Sequence, residues 1–225
     1  MSDAPFLDAT RKSYDDTVAE YVEMVDGILE ARPLERALLA TFAELVRTDD
    51  NHLVADVGCG PGRVTVHLRE LGLDAFGIDL SPGMIAHARQ AYPALRFDVG
   101  SMLALDLPDS SLGGLLAYYS VIHVPWERRP EVFAEFYRVL APGGYLLLAF
   151  PVGSEKHHRD EVFGKAIDCD WYRQRPEEVV ALLRATGFDH WSTAVREAEV
   201  QSTAVPEAER AQSLPQGFVI AAKPA

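Results

Sequence analysis

The sequence predicts a doubly wound α/β fold whose seven-stranded, mostly parallel sheet ends in a C-terminal antiparallel hairpin. Three observations predict this fold. Short apolar runs alternate with helical periodicities along most of the 225 residues, as in folds that cover a parallel sheet with helices. A turn with three glycines, 58–62, joins the first apolar run to a helix. The last two runs have no long helix between them, so they should pair as a hairpin.

Two helical patterns come before the glycine turn. The first is a single apolar stripe with steps of three and four residues, formed by Tyr14, Val18, Tyr21, Val25 and Ile28. Ser13 and Asp16 have the spacing of a capping box, which places the start of this helix near Ser13. The second pattern predicts a helix that runs to about residue 47.

Seven apolar runs predict the strands of the sheet, at 53–56, 75–79, 96–99, 115–120, 145–150, 191–200 and 217–222. The fourth run is continuous and apolar enough to be buried on both faces. Helices are predicted after the first, second, fourth and fifth strands. Ser81 and Pro82 have the residue types of a helix N-cap and first turn, while Gly72 and Gly187 are suited to helix C-termini.

Charge and composition exclude several classes of partner. The formal net charge of −13 argues against nucleic acid as the main substrate, because phosphate-backbone binding depends on clustered Lys and Arg. The two cysteines, Cys59 and Cys169, have no metal-like spacing, and we expect no metal. The first residues lack the pattern of a signal peptide and no apolar run approaches 18 residues, so we expect neither a signal peptide nor a membrane span. We therefore expect a cytoplasmic monomer or homodimer that acts on a small molecule, without a membrane partner.

Acidic residues and glycines at fixed spacing form the most informative motif. Asp56 lies two residues before the first of three alternate glycines, Gly58, Gly60 and Gly62, and Asp79 ends the second predicted strand. A carboxylate at that strand end can accept hydrogen bonds from both hydroxyls of a ribose. Glycines in the turn let the backbone approach a ligand closely, where a Cβ would collide with it. The pattern therefore predicts a nucleotide-type ligand at this turn.

The D-x-G-x-G-x-G pattern resembles that of class I S-adenosylmethionine (SAM) dependent methyltransferases. The resemblance extends over residues 53–223, since 79–84 is similar to the family's D-x-S-x-x-M segment, 121–123 to its "vLhH" segment and 142–148 to its "LxPGGxLxL" segment. It implies SAM as the cofactor and methyl transfer to a small molecule as the activity. It also implies an N-terminal helical lid, residues 1–50, over a Rossmann-like domain of residues 51–225.

The cofactor-binding residues that this resemblance implies are Tyr14, Tyr21, Asp56, Gly58, Cys59, Gly60, Gly62, Asp79, Leu80, Met84, Ser101, Met102 and Tyr118. Asp79 is expected to bind the ribose hydroxyls, and the backbone near the glycine turn is expected to contact the methionyl end. Ser101 departs from the family, where an aspartate often accepts a bond from the adenine amino group. A serine accepts that bond without charge, so we expect a weaker adenine contact.

Methyl transfer to a phenol or alcohol requires a base, because the hydroxyl must lose its proton. His123, just past the fourth predicted strand, is the candidate. His157 and His158, expected in a loop after the fifth strand, are the second choice. Tyr118 and Tyr119 end the fourth strand and should point to opposite faces. An O-methylated phenol or alcohol is the favoured product, although N- and C-methylation stay open.

Three alternative functions compete with methyl transfer. A SAM-binding protein of the same fold can catalyse other chemistry, such as cyclisation or decarboxylation. A noncatalytic cofactor-binding or partner protein is the second alternative, and Ser101 is the hint in its favour. The third is nicotinamide-dependent oxidoreduction. A dinucleotide turn carries a glycine three residues after Gly60, and Arg63 at that position disfavours it.

Overall fold

The structure is a computed structural model that describes residues 5–198 and 214–225. Its strands are β1 (Leu53–Val57), β2 (Asp74–Asp79), β3 (Phe97–Val99), β4 (Leu112–Tyr118), β5 (Leu140–Pro151), β6 (Lys156–Val162), β7 (Lys165–Tyr172), β8 (Asp189–Arg196) and β9 (Gln216–Ala222). Its α-helices are α1 (Pro5–Asp16), α2 (Val18–Val25), α3 (Pro33–Val46), α4 (Arg63–Glu70), α5 (Pro82–Ala91), α6 (Arg129–Val139) and α7 (Pro176–Thr186). Short 3-10 helices cover Val121–His123 and Trp126–Arg128.

Seven strands form the main sheet in the order β3-β2-β1-β4-β5-β9-β8. The first five strands pair in parallel, whereas β9 runs antiparallel to both β5 and β8. The predicted fold class is therefore confirmed, including the C-terminal hairpin. The predicted strand 191–200 begins two residues earlier and ends at Arg196, and positions 199–200 lie outside the described residues. β4 is buried along its whole length, as its continuous apolar run predicts.

The carboxyl ends of the parallel strands are positioned by helices packed on both faces of the sheet. One core cluster contains Phe133 and Phe136 of α6 against Leu146 of β5. The opposite cluster contains Leu39 and Phe42 of α3, so α3 packs against the sheet itself. The predicted caps of α5 and α7 are confirmed: Ser81 Oγ accepts a hydrogen bond from Met84 N at 3.0 Å, and Gly187 ends α7 with φ +109°.

The single N-terminal helix expected from the apolar stripe is divided in two. α1 ends at Asp16 and α2 begins at Val18, with Thr17 between them at φ −122°. The prediction that Ser13 starts the helix is wrong, because the chain is already helical from Pro5. Ser13 Oγ donates to the carbonyl of Ala9 within α1, at 2.8 Å.

A second, two-stranded sheet, β6–β7, occupies the place where a polar loop was predicted around His157 and His158. The side chains of β6 are mostly exposed, and its sequence has no alternation of apolar and polar residues that would predict a strand. β7 packs against α1, and Ser13 Oγ accepts a hydrogen bond from Asp168 N at 3.3 Å. Lys165, near the tip of the hairpin, forms an ion pair with Glu20 of α2 at 2.7 Å. The hairpin thus supports both N-terminal helices.

The end of β4 also differs from its prediction. The strand stops at Tyr118, and Tyr119 has a left-handed backbone with φ +57°. The two rings therefore do not lie on opposite faces but pack against each other with centroids 4.7 Å apart. The expectation of opposite faces fails because it assumes that the strand continues through residue 119.

Candidate active site

The glycine turn joins β1 to α4 through a backbone that only glycine adopts without strain. Gly58, Gly60 and Gly62 have φ values of +79°, +54° and +88°. A Cβ at Gly58 would overlap with Ser120, and one at Gly62 would lie 2.7 Å from Phe97 Cζ. The space that a Cβ would occupy at these two glycines is therefore taken by Ser120 and Phe97 and not by a ligand. A Cβ at Gly60 would meet only Tyr21, at 3.8 Å, so Gly60 leaves open space above the turn.

Asp79 at the end of β2 holds the glycine turn against the start of α5. Its Oδ2 accepts a hydrogen bond from Gly60 N and its Oδ1 from Ser81 N, each at 2.8 Å. Burial raises the pKa of Asp79, and the two backbone donors oppose that shift. The carboxylate therefore has a structural role in addition to the role in ribose binding that the motif suggests.

Asp56 is buried at the end of β1, beneath the turn. Its Oδ2 accepts a hydrogen bond from Thr65 Oγ1 at 2.7 Å, and its Oδ1 has no hydrogen-bond partner among the described residues. Burial raises the pKa of Asp56 to about 7. A buried carboxylate oxygen without a partner is costly, so this atom is available to a water molecule or a cationic ligand.

A cavity of about 90 Å³, called here the small cavity, lies at the carboxyl ends of β1, β2 and β4. Ten of the predicted site residues line it: Tyr14, Tyr21, Gly58, Gly60, Asp79, Leu80, Ser101, Met102, Tyr118 and His123. The N-terminal part of α1 closes one side through Phe6, Leu7, Thr10 and Arg11. The fold thus brings together residues that are more than a hundred positions apart in the sequence.

Four predicted site residues do not line this cavity: Asp56, Cys59, Gly62 and Met84. The side chain of Cys59 belongs to a buried cluster with Ile85 and Phe97, and burial raises the pKa of its thiol. Met84 is fully buried in α5. Cys59 and Met84 therefore support the walls of the site from behind.

His123 and Tyr14 form a hydrogen-bonded pair at the boundary of the small cavity. Tyr14 Oη lies 2.8 Å from His123 Nε2, and His123 Nδ1 lies 3.1 Å from the carbonyl oxygen of Asp170. A carbonyl only accepts, so we assign the ring proton to Nδ1, and Nε2 accepts from the Tyr14 hydroxyl. Burial lowers the pKa of His123 to about 4 and raises that of Tyr14 well above its usual value. Both groups are therefore neutral at physiological pH.

A second cavity of about 610 Å³, called here the large cavity, lies between α2, the β6–β7 hairpin and the end of β4. Its volume is in the range of small-molecule sites. Tyr14, Tyr21 and Tyr119 line both cavities, so the two spaces meet at these three rings. His157 and Trp171 of the hairpin line the large cavity, whereas His158 does not and bonds to Asp170 at 3.1 Å.

Two acidic residues contribute to the site although no sequence motif identifies them. Asp15 of α1 accepts hydrogen bonds from Ser81 Oγ at 2.5 Å and from Gly83 N at 2.8 Å, which joins α1 to the start of α5. Glu35 of α3 accepts a hydrogen bond from Tyr118 Oη in the protein interior. Burial raises the pKa of Glu35. Long-range partners of this kind leave no local signal in the sequence.

The described residues, 5–198 and 214–225, hold no group of three or more His, Cys, Asp or Glu side chains placed to bind a metal ion. Within those same ranges, no helix combines the length and the apolar character needed to cross a membrane.

Comparisons with known proteins agree with this geometry. Residues 54–144 match a methyltransferase domain family. The chain is 34% identical over 120 residues to malonyl-[acyl-carrier protein] O-methyltransferase of Pectobacterium atrosepticum, covering 48% of this chain and 46% of that protein. It is 30% identical over 112 residues to phosphoethanolamine N-methyltransferase 3 of Arabidopsis thaliana, covering 48% of this chain and 22% of that protein. The chain thus spans less than half the length of either relative.

A solved structure shares the fold over nearly the whole chain. Geranyl diphosphate C-methyltransferase from Streptomyces coelicolor superposes with a TM-score of 0.70 and 14% identity, covering 99% of both chains. The names of these three proteins specify oxygen, nitrogen and carbon as methylated atoms, so the likeness does not identify an acceptor. It does agree with the glycine turn, Asp79 and the strand order. Residues 54–144 thus match a methyltransferase domain, and these comparisons support a class I S-adenosylmethionine-dependent methyltransferase.

Proposed function

We propose that this chain transfers a methyl group from SAM to a hydroxyl oxygen of a small molecule. The observation that carries the proposal is the junction of two cavities at Tyr14, Tyr21 and Tyr119. The small cavity contains the glycine turn and Asp79, the acid expected to bind ribose. The large cavity has the volume for an organic acceptor. Two ligands bound in these cavities would meet where the three tyrosines line both spaces, which suits an in-line group transfer.

The residues around the small cavity have the chemistry of a SAM site, and the cavity of about 90 Å³ must widen to hold the whole cofactor. Gly60 leaves room for the ligand beside its own backbone. Asp56 lies behind the lining of the cavity, so its unpartnered Oδ1 suits the ammonium of the methionyl group through a water molecule. Asp79 is suited to the ribose hydroxyls, and Ser101 with Met102 to the adenine edge. When bound, SAM supplies a methyl group on a sulfonium that is already activated for transfer. The chain then has to position the acceptor and exclude water.

His123 and Tyr14 are placed to remove the acceptor's proton, although burial, which lowers the pKa of His123 to about 4, makes the neutral imidazole a weak base. Tyr14 lines both cavities, whereas His123 lines the small cavity and lies behind Tyr14. In this proposal the acceptor hydroxyl gives its proton to the Tyr14 oxygen as Tyr14 passes its own proton to Nε2 of His123. The carbonyl of Asp170 holds the ring in the tautomer that leaves Nε2 free to accept.

Residues 1–50 act as a helical lid over the domain of residues 51–225, with α1 and α2 bordering the two cavities. The protein works as a cytoplasmic monomer or homodimer on a small molecule. The net charge of −13 supports a substrate other than nucleic acid.

Incubation of the full chain with SAM and a panel of phenols, alcohols, amines and carbon acids tests the function. Mass spectrometry should detect S-adenosylhomocysteine and an O-methylated product in equal amounts. His123→Gln and Tyr14→Phe should lower turnover far more than SAM affinity, and His190→Gln, on the exposed edge strand β8, should behave as wild type. SAM binding with no methyl transfer to any acceptor would instead favour the non-methyl-transfer alternative. Methylation confined to amines or carbon acids would refute the oxygen acceptor.

A further inference from the structure

The large cavity has a lining rich in arginine, although the chain as a whole has a negative net charge. Five arginines line it. They are Arg63 of α4, Arg159 of β6, Arg196 at the end of β8, and Arg32 and Arg173, which follow α2 and β7. Among the described lining residues, Glu35 is the only acid. A chain with a net charge of −13 that places arginines around one cavity creates a local positive potential there.

Glu35 does not neutralise this set of arginines. One of its oxygens accepts the hydrogen bond from Tyr118 Oη, and the other lies 3.6 Å from Arg196 Nε. Two further arginines have partners of their own. Arg173 pairs with Glu155 at 3.4 Å, and the Arg159 guanidinium lies 5.3 Å from the centre of the Trp171 ring.

Arg63 differs from these two residues in having a buried guanidinium nitrogen without a hydrogen-bond partner among the described residues. It is the first residue of α4, directly after the glycine turn, and its Cζ lies 6.0 Å from the centre of the Tyr118 ring. The buried nitrogen is Nη1. A guanidinium N–H without a partner is available to an anion, because a carboxylate or phosphate can accept two parallel bonds from the guanidinium.

Much of the remaining lining of the large cavity is apolar. Met24, Val25 and Ile28 line it from the lid side, and Phe163 and Ile167 line it from the hairpin. A ligand that fills this space therefore needs an apolar body as well as an anionic group. The tyrosines at the junction with the small cavity then determine which atom of that ligand faces the methyl donor.

We propose that the large cavity binds a small amphipathic anion, an apolar body that carries a carboxylate or phosphate, and that Arg63 binds the anionic group. This inference rests on the proposed function, since it names the class of acceptor. It adds a requirement that methyl transfer alone does not impose, which is selection of acids over their neutral analogues.

Calorimetric titration of the full chain with matched acids and amides tests this inference without measuring turnover. The probes are octanoate against octanamide and 2-naphthoate against 2-naphthamide, with octyl phosphate to compare the two anions. Each is titrated with and without S-adenosylhomocysteine. We expect the acids to bind at least about tenfold more tightly than the amides, because charge-assisted hydrogen bonds are stronger than neutral ones. Octyl phosphate is expected to bind like an acid.

Three variants assign that selectivity. Arg63→Gln should bind the acids as weakly as the amides, and Arg63→Lys, which keeps the charge without the planar fork, should be intermediate. Arg69→Gln is the matched control, because Arg69 is in the same helix but is exposed and paired with Asp74. It should retain wild-type selectivity. Circular dichroism of each variant separates a lost ligand contact from a lost fold.

Several results would overturn the inference. Equal affinity for acids and amides, or no binding of any probe, would exclude an anion site in this cavity. If Arg63→Gln weakened SAM binding but left octanoate binding unchanged, Arg63 would instead serve the methionyl carboxylate. Wild-type protein that bound SAM but showed no acid preference would refute this inference alone. Wild-type protein with the acid preference but no SAM affinity would refute the proposed function and leave the anion site in place.

Discussion

Replacing Gly58 with alanine should destabilise the fold through contacts within the protein. Gly58 has φ +79°, and an added Cβ would overlap with Ser120 Cβ and lie 2.8 Å from Ser120 Oγ. Ser120 has little freedom to move, because its Oγ donates a buried hydrogen bond to the carbonyl of Val57 at 2.6 Å. The alanine must therefore strain its own backbone and displace a bonded side chain.

The expected cost has two parts. A left-handed backbone costs a residue with a Cβ about 1–2 kcal/mol. Overpacking against Ser120 adds about 1–3 kcal/mol. The total of about 2–5 kcal/mol is a large share of the stability of a typical domain. Urea denaturation, followed by circular dichroism, should show a lower midpoint with an unchanged slope for Gly58→Ala.

Gly72→Ala is the control for the backbone part. Gly72 has φ +87°, but its added Cβ would meet only the Arg47 guanidinium, at 3.9 Å. This variant should lose only the backbone cost of about 1–2 kcal/mol. If Gly58→Ala and Gly72→Ala lost the same stability within about 0.5 kcal/mol, the argument from the Ser120 contact would be refuted.

Three further predictions concern ionisation and cofactor contact. Burial raises the pKa of Asp56 in the folded protein to about 7 from an ordinary value of 3.8. Protonation of this carboxyl therefore stabilises the fold at low pH, and the stabilisation is lost as pH rises through about 7. Wild type should therefore lose stability relative to Asp56→Asn between about pH 4 and about pH 8 in urea titrations, by a few kcal/mol; parallel curves would contradict this. His123, with its pKa lowered to about 4, should show no titration near pH 6.5 by NMR, and Tyr14→Phe should shift its titration; a wild-type midpoint near 6.5 would show that the imidazole is solvated. Ser101→Asp should bind SAM more tightly by calorimetry, since a charged acceptor strengthens the adenine contact; unchanged affinity would indicate that the backbone alone binds adenine.

The sequence predicts the main sheet because its signals are local. Most strands of the main sheet are apolar runs, and Ser81 and Gly187 mark helix boundaries through their own side-chain or backbone chemistry. The N-terminal helices are less predictable from the sequence. An apolar stripe that continues across Thr17 gives no sign that the helix is divided there. Helix periodicity identifies the buried face but not an interruption of the backbone.

The β6–β7 hairpin is not predictable from the sequence pattern, because its stability comes from other elements. The side chains of β6 are mostly exposed, so the strand has no alternating pattern to detect. Its partner β7 is held by α1, and Lys165 reaches Glu20 of α2. Since the hairpin forms one wall of the large cavity, the acceptor site is the part of this protein about which the sequence says least.

The small cavity is more predictable than the large one for a topological reason. Parallel strands end at one edge of the sheet, so Gly60 after β1 and Asp79 at the end of β2 must lie close together whatever the loops do. The residues that complete the site come from distant elements. Asp15, which bonds to Ser81 and Gly83, and Glu35, which bonds to Tyr118, become apparent only in three dimensions.

Calorimetric titration of the full chain with SAM, S-adenosylhomocysteine and NAD tests the central claim most directly. The account predicts micromolar binding of the first two ligands and none of NAD, because the glycine turn has Arg63 in place of the last glycine of a dinucleotide site. Asp79→Ala should weaken SAM binding severely in the same titration, with its stability measured alongside because Asp79 also bonds to the turn. Binding of NAD alone, or of none of the three, would contradict the assignment of the small cavity to SAM.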